Sequence, residues 1–431
     1  MKVVIGYDIN EYYAQISYAE EGKEPQTLVF DETKEAGNIE TALCRRRDVN
    51  QWYYGREAVR KGLSGAGVLI EHIWPLFVAQ DTVVIEKQEY PLAQLCQLFI
   101  KYTLDMAVQK MQQQLGCEVE IGALVLTAEP WDDGIPEKMR PIMEAFMPPG
   151  SGCYFQSHAE SLFSYLVHQP ERLLGYETGV FDLTGETLVS YRVEMNHKTR
   201  PVVTTVNREE VPSLVRKKHY PSIREHDEKL AQLDTDLAAF VQQFTRNRMV
   251  TSVYLIGDGF HGDWYPESLK LLCRGRKVFA GNNLFGKGAC FSGAERLWPG
   301  DVSESFVFFG NEVLRCNVGL MLWQDGKETY FPLLDAGTNW YEANAETEFM
   351  MEVPDEIPLL ITPVEGGNAY VESLPLHMEP GRELRAYHFT MRVYMQSQKD
   401  MLVTVRENGF GDWFGPEGEE QSFHLVLGRV D

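Results

Sequence analysis

At 431 residues, of which 44% are hydrophobic, the chain is long for one compact core and apolar enough to build two or more. A formal net charge of −23, with basic runs no longer than short ones such as Arg45-Arg46-Arg47, excludes a general nucleic-acid or anionic-membrane surface. Seven cysteines without a CxxC or a His/Cys metal spacing fit reduced thiols in the cytoplasm, and no apolar run approaches the ~18 residues that a membrane span needs.

In chain order, Lys2–Ala19 reads as a strand ending in Asp8, a short turn and a second strand, with no secretory leader before it. Thr27–Asp31 adds a third strand after the Gly22-Lys23 turn. Ile39–Cys44 and Trp52–Tyr54 are short strands around a polar connection in which Arg45–Arg47 form a solvated or locally paired strand end. Gly55-Arg56-Glu57-Ala58 opens a helix. Pro91–Leu115 is the clearest helix, with Leu92, Leu95, Phe99, Tyr102 and Met106 at helical spacing. Val119–Thr127 is a buried strand, Glu137–Phe146 an amphipathic helix, and Gln156–His168 a second helix in which His158 reads as an ordinary helix-start residue.

Gly179–Met195 repeats the N-terminal pattern: a strand ends in Asp182, and a second resumes at Thr187. Two such hairpins about 175 residues apart suggest a duplicated, two-lobed fold. Pro201–Val206 pairs with the second strand, Arg208–Lys229 is charged and broken by proline, and Leu230–Phe244 is helical. Val253–Gly257 is a strand entering Gly257-Asp258-Gly259, Pro266–Cys273 is helical, Val278–Ala280 is a strand, and Gly286–Cys290 leads into the helix Phe291–Leu297. From about Val302 helical periodicity stops. Alternating segments at Gly319–Trp323, Thr329–Pro332, Glu346–Val353, Leu359–Val364, Phe389–Gln396 and Met401–Arg406, with Asp325-Gly326 and Gly366-Gly367 between them, read as a β-sandwich.

This succession resembles the actin/sugar-kinase/heat-shock-70 superfamily, and within it the heat-shock protein 70 chaperones. Ile5–Ala14 is similar to the first phosphate loop, Ile39–Ala58 to the strand pair that follows it, and Ser157–Tyr165 to the first connecting helix. Phe181–Val189 is similar to the second phosphate loop, Val253–His261 to the adenosine loop, and Asn283–Cys290 to the second connecting element. Met391–Gly411 and Leu359–Gly366 resemble strands of the peptide-binding β-domain. The resemblance implies an α/β two-lobed actin-like ATPase fold of duplicated ribonuclease H-like lobes over residues 1–300. Lobe I covers about 1–175 and lobe II about 176–300, with the closing subdomain reduced to about 208–250. An all-β sandwich like the substrate-binding domain follows over 301–431, without the helical lid.

By the same resemblance, Asp8, Asp182 and Thr187 are the catalytic positions, with Asp8 and Asp182 holding Mg²⁺ through water. Asn10, Glu11, Tyr12, Thr184, Gly185, Glu186, Gly257, Asp258 and Gly259 line the nucleotide, ATP or ADP. The chain departs from the family where it matters for phosphate. Asn10-Glu11-Tyr12 stands where the family has Gly-Thr-Thr, and Thr184-Gly185-Glu186 where it has three glycines. Glu11 and Glu186 bring carboxylates to a triphosphate site, and at about 4 Å with an effective dielectric of ~20 each like-charge pair costs on the order of 4 kcal/mol. A micromolar affinity is only roughly 8 kcal/mol. No lysine occurs over Val68–Leu76, and Ser157 falls where the family has its catalytic glutamate.

Two readings of Glu11 and Glu186 stand together: exposed turn residues, or carboxylates that hold a cation or a basic partner. Asp8 and Asp182 read equally as turn caps or as relict metal positions. Trp413 and Phe414 read as core packing or as an exposed docking patch. The expectation is a cytoplasmic, chaperone-related protein, at most a weak ATPase, that works by protein or peptide binding through the β-domain while the two-lobed domain serves as scaffold or weak nucleotide sensor, with no nucleic-acid or membrane partner. The competing expectation is an active ATP-dependent chaperone that hydrolyses Mg-ATP between the lobes.

Overall fold

The computed structural model describes residues 1–431 except 31–36, 48, 50, 132–133, 218–222, 301, 303–304, 325, 354, 365–367, 379–386, 410–419 and 429–431. Trp413, Phe414 and the Gly366-Gly367 pair lie outside the described residues. The chain is mixed α/β and divides into two compact units, Met1–Phe308 and Phe309–Asp431.

The first unit opens with β1 (Lys2–Ile9), β2 (Tyr13–Ala19), β3 (Gln26–Thr27) and β4 (Ile39–Glu40). The third strand is shorter than Thr27–Asp31, and Ile39–Cys44 is not one strand. It splits between β4, which pairs β2, and β5 (Leu43–Arg46), which joins a separate small sheet with β6 (Trp52–Tyr54) and β7 (Gly67–Ile70). The helices α1 (Gly55–Leu63) and α2 (Ile73–Ala79) and the hairpin β8 (Thr82–Ile85) and β9 (Gln88–Pro91) lead to α3 (Leu92–Leu115). α3 buries Leu92, Leu95, Phe99, Ile100, Leu104 and Met111 on one face and stops at Gly116, which takes the left-handed conformation (φ 68°) that a Cβ would resist. β10 (Glu120–Ala128), α4 (Ile135–Glu144), β11 (Gly152–Ser157) and α5 (His158–Val167) complete the first half.

The second half repeats the arrangement with β12 (Glu177–Asp182), β13 (Thr187–Asn196), β14 (Val202–Val215), α6 (Ile223–Thr245), β15 (Val250–Ile256), α7 (Pro266–Leu272), β16 (Lys277–Gly281) and α8 (Leu284–Leu297). One sheet runs β11-β10-β1-β2-β3 and the other β16-β15-β12-β13-β14, closed by β17 (Phe306–Phe308). In both, three parallel strands are followed by an antiparallel hairpin whose turn carries an aspartate. α5 and α8, each following the outermost parallel strand, pack on one another.

Two expectations change here. The charged stretch from Arg208 does not leave the sheet: Arg208–Val215 continues β14, in which Val203–Val211 and Val215 pair with β13, and α6 begins at Ile223 rather than Leu230. Gly286 and Gly288 do not precede a helix; they lie inside α8, which starts at Leu284. A Cβ at Gly288 would collide with the Ser161 carbonyl of α5, and one at Gly6 with the Gly286 carbonyl. These glycines let helix, helix and strand approach at backbone distance. The unit ends at Phe308, within the stretch near residues 300–316 where the sequence changes character, and Phe306–Phe308 pairs in parallel with Val202–Thr204.

Among the described residues, the second unit has two four-stranded sheets. One is ordered β19-β18-β21-β22, from β18 (Cys316–Gln324), β19 (Lys327–Leu334), β21 (Glu356–Pro363) and β22 (Tyr370–Pro375). The other is ordered β20-β23-β24-β25, from β20 (Asn344–Met351), β23 (Tyr387–Met395), β24 (Asp400–Glu407) and β25 (Gln421–Val426). Val318, Leu320, Leu359 and Ile361 of one sheet share a buried cluster with Phe389, Met391, Val393 and Val403 of the other.

Candidate functional site

Asp8 closes β1 with 1% of its surface exposed, and the turn after it is tied up by its own residues. Asn10 Oδ1 accepts the backbone N–H groups of Tyr12 (2.9 Å) and Tyr13 (3.1 Å), while the Asn10 N–H donates to the Tyr13 carbonyl (3.0 Å). This asparagine turn leaves those two amides no direction but inward. The Glu11 carbonyl accepts from Thr41 Oγ1 (2.6 Å) and lies 3.1 Å from His72 Nδ1.

The matching turn behaves alike. Asp182 Oδ1 accepts the Thr184 N–H at 2.9 Å. Thr184 Oγ1 is then 3.0 Å from the Tyr13 hydroxyl, so one turn is hydrogen-bonded to the other over a separation of 171 residues. Tyr12 covers Gly185: a methyl group there would sit 3.2 Å from the Tyr12 ring. Gly257 and Gly259 come up beneath. Gly257 has φ 92°, and the Gly259 N–H donates to the Leu183 carbonyl at 2.9 Å, with no room for a Cβ at either position. Gly257 and Asp258 line a small crevice beside Asn283 and are not in the wall of the larger cavity described next.

That cavity, of about 530 Å³, lies between the turns. Asn10, Glu11, Tyr12, Thr184, Gly185, Glu186 and Thr187 all line it, as do Asp182 and His158. Asp8 does not; it lies behind His158. The imidazole Nε2 meets Asp8 Oδ1 at 2.7 Å, and the ring stacks on Phe285 with centroids 3.7 Å apart. Burial lowers the His158 pKa, but the Asp8 charge and hydrogen bond outweigh it and hold the imidazole above its usual range. Burial raises the Asp182 carboxyl, an effect that the Thr184 hydrogen bonds and the His158 charge only partly offset. Tyr12 is pushed up to about 12 by burial and the Glu11 carboxylate. The far wall is β14: Arg208 reaches Glu129 at 3.1 Å, close to the buried Tyr191 hydroxyl and to Glu210.

Residues 24–311 match the family of unknown function DUF5716, in its C-terminal part. The chain belongs to the DUF5716 family. Residues 313–425 match a domain of unknown function, DUF8552, so the two matched stretches in this DUF5716 member meet within a few residues of the Phe308–Phe309 break. No curated protein matches the chain.

The sequence reading missed the charged part of the wall: His158 as partner of Asp8, and Glu129, Arg208 and Glu210. His158 had a signal, since it follows Ser157, where the resemblance expects a catalytic glutamate. Arg208 and Glu210 had none, because a charged, proline-flanked run looks like a loop until its pairing with β13 is known.

Proposed function

We propose that the first unit is a divergent actin/heat-shock-70-type domain whose cleft no longer takes a nucleoside triphosphate, and that the protein is chaperone-related and acts through protein or peptide binding by its second unit. The observation that carries this reading is the engagement of the turn amides. A phosphate loop works by aiming free backbone N–H groups at oxygens, and here the amides of Tyr12, Tyr13 and Thr184 already have intramolecular acceptors in Asn10 and Asp182. The Tyr13–Thr184 contact also ties the two loops directly to one another. Asp8, the first candidate for a metal-bound water, is paired with His158 instead. The residues present thus fit neither Mg²⁺ nor a triphosphate.

The repeated strand order of the two halves supports the superfamily reading, as does the placement of both aspartates at equivalent hairpins. Binding through the second unit is supported by the outer face of its first sheet. There Met321 opposes Tyr330 and Leu360 opposes Val371, and Trp323 is 78% exposed. The competing reading, an active ATPase, draws on Asp182 and Thr187 in the cavity wall.

Calorimetric titration with Mg-ATP separates them. The expected result is no binding heat up to about 1 mM, equivalent to less than about 4 kcal/mol of affinity. Micromolar binding that disappears in Asp182→Ala would overturn the proposal in favour of the ATPase.

A further inference from the structure

The outer face of the β19-β18-β21-β22 sheet is ordered in rows. Val318 and Leu320 of β18 point into the sandwich core, so Gly319, Met321 and Trp323 point away from it. Gly319 pairs with Pro332 on one side and Leu360 on the other, and Leu360 pairs with Val371, which makes one apolar row across four strands. Two residues along, Met321 opposite Tyr330 begins the next row, and Trp323 opposite Glu328 the row after that. Glu356 opens β21 at this same end of the sheet, and because Ile357 beside it is buried, Glu356 shares the outer face. Counted on from the Gly319–Leu360 pair, it falls on the Trp323 row.

Charge and spacing together say what covers this face. Trp323 is 78% exposed, and an indole with carboxylates on its row is a seat for a cation, which gains from the ring face and from the oxygens at once. Neither Glu328 nor Glu356 has an ion-pair partner among the described residues, and no Lys or Arg stands on the three rows. The wider field has the same sign. Residues 309–431 hold 21 Asp and Glu against eight Lys and Arg, more than half of the chain's net charge of −23. The rows also set a register, since same-face side chains of a strand lie about 7 Å apart and so do alternate side chains of an extended peptide. A peptide laid along β18 places residue i on the Trp323 row, i+2 on the Met321–Tyr330 row and i+4 on the Gly319–Leu360–Val371 row.

We propose that this face binds an extended segment of a partner protein that carries Lys or Arg at position i and large apolar side chains at i+2 and i+4. The cation lies on the Trp323 ring with Glu328 and Glu356 about it, and the two apolar side chains cover Met321, Tyr330, Leu360 and Val371. A segment with an acidic residue at position i meets like charge on the same row and is rejected. The proposal rests on the reading that the second unit binds peptide, and it adds the charge and the spacing of what is bound.

The test is calorimetric titration of the full-length protein at low salt with three peptides, each acetylated and amidated at its ends. They are Ser-Arg-Ser-Leu-Ser-Leu-Ser and the same sequence with Leu or with Glu in place of Arg. The Arg peptide is expected to bind with a Kd below about 100 μM, the Leu peptide about tenfold more weakly, and the Glu peptide not at all up to about 1 mM. Trp323→Ala is expected to weaken the Arg peptide about tenfold, and Glu328→Gln with Glu356→Gln several-fold, as should about 0.5 M salt. All three side chains are exposed, so these substitutions leave the sandwich core as it is. Equal binding of the Arg and Glu peptides overturns the proposal, as does Arg-peptide binding indifferent to Trp323→Ala. Leu-peptide binding as tight as that of the Arg peptide, and equally dependent on Trp323, overturns the cation seat and leaves the peptide-binding reading standing. Silence from all three peptides at about 1 mM removes peptide binding at this face as well. A dimer in analytical ultracentrifugation that Trp323→Ala dissociates gives the face to a second copy of the chain and also overturns the proposal.

Discussion

Asp8 and His158 bury a carboxylate and an imidazole together, 2.7 Å apart and almost wholly shielded from water, so the pair gains most while both groups are charged. Removing one partner strands the other, and His158→Ala is expected to cost about 3–5 kcal/mol of stability by urea unfolding. The pair also fixes a pH dependence. Folded His158 holds its proton more tightly than the ordinary value of 6.5 implies. Its contribution is therefore complete below about pH 6.5 and lost as pH rises through the higher folded value. Asp182 has the same sign, since its raised carboxyl favours the protonated form and its contribution fades as pH climbs above the ordinary carboxylate range. The urea midpoint should thus decrease as pH rises above about 6.5. In Asp8→Asn, which removes what raises the imidazole, that slope should vanish; a slope unchanged in Asp8→Asn would show that another group titrates. At this scale the sequence was partly legible. Asp8 and Asp182 stood out because each ends an apolar strand at a turn. That Asn10 closes its turn on the amides of Tyr12 and Tyr13, and that His158 reaches a residue 150 positions away, depends on three-dimensional approach that a linear pattern does not carry.

α3 and α8 differ in how far their sequences betray them. α3 has one apolar face at 3.6-residue spacing and is readable from end to end. α8 is packed on several sides, by α5, β1, β2 and β10, so its Gly-rich LFGKGACFSG segment carries no amphipathic period and looks like a loop. β14 fails in the opposite way. Its polar Asn207–Glu210 run is exposed, so strand structure there comes from the ladder with β13 rather than from burial. The glycine contacts of α8 make the point testable. Gly288→Ala gains about 1 kcal/mol of helix propensity but drives a methyl into the Ser161 carbonyl, and overpacking of this kind costs typically 1–3 kcal/mol or more. The net expectation is a lower melting temperature. Gly175→Ala, where nothing lies within 4 Å, should leave it unchanged. Equal behaviour of the two variants would mean that α5 and α8 have room to separate.

For the molecule as a whole, the division at Phe308–Phe309 separates two independent hydrophobic cores. Among the described residues, the sandwich core draws on residues from Leu314 to Leu427, while the clusters around Phe181 and Leu162 lie before residue 300. A cooperative unfolding unit is set by the core that its members share. The chain should therefore unfold in two calorimetric transitions, and substitutions in one core should move only one of them. His158→Ala is expected to lower one transition and leave the other in place, whereas Val403→Ala, in a fully buried position of the sandwich, should shift the second by an amount typical of cavity creation, about 2–4 kcal/mol. The same scan bears on function. Under the proposed reading, a partner captured by the Met321–Tyr330 face stabilises only the transition that Val403→Ala marks, since a ligand raises the stability of the unit whose folded form it binds. A single transition displaced equally by both substitutions would join the two units into one cooperative body and remove the basis for assigning them separate tasks.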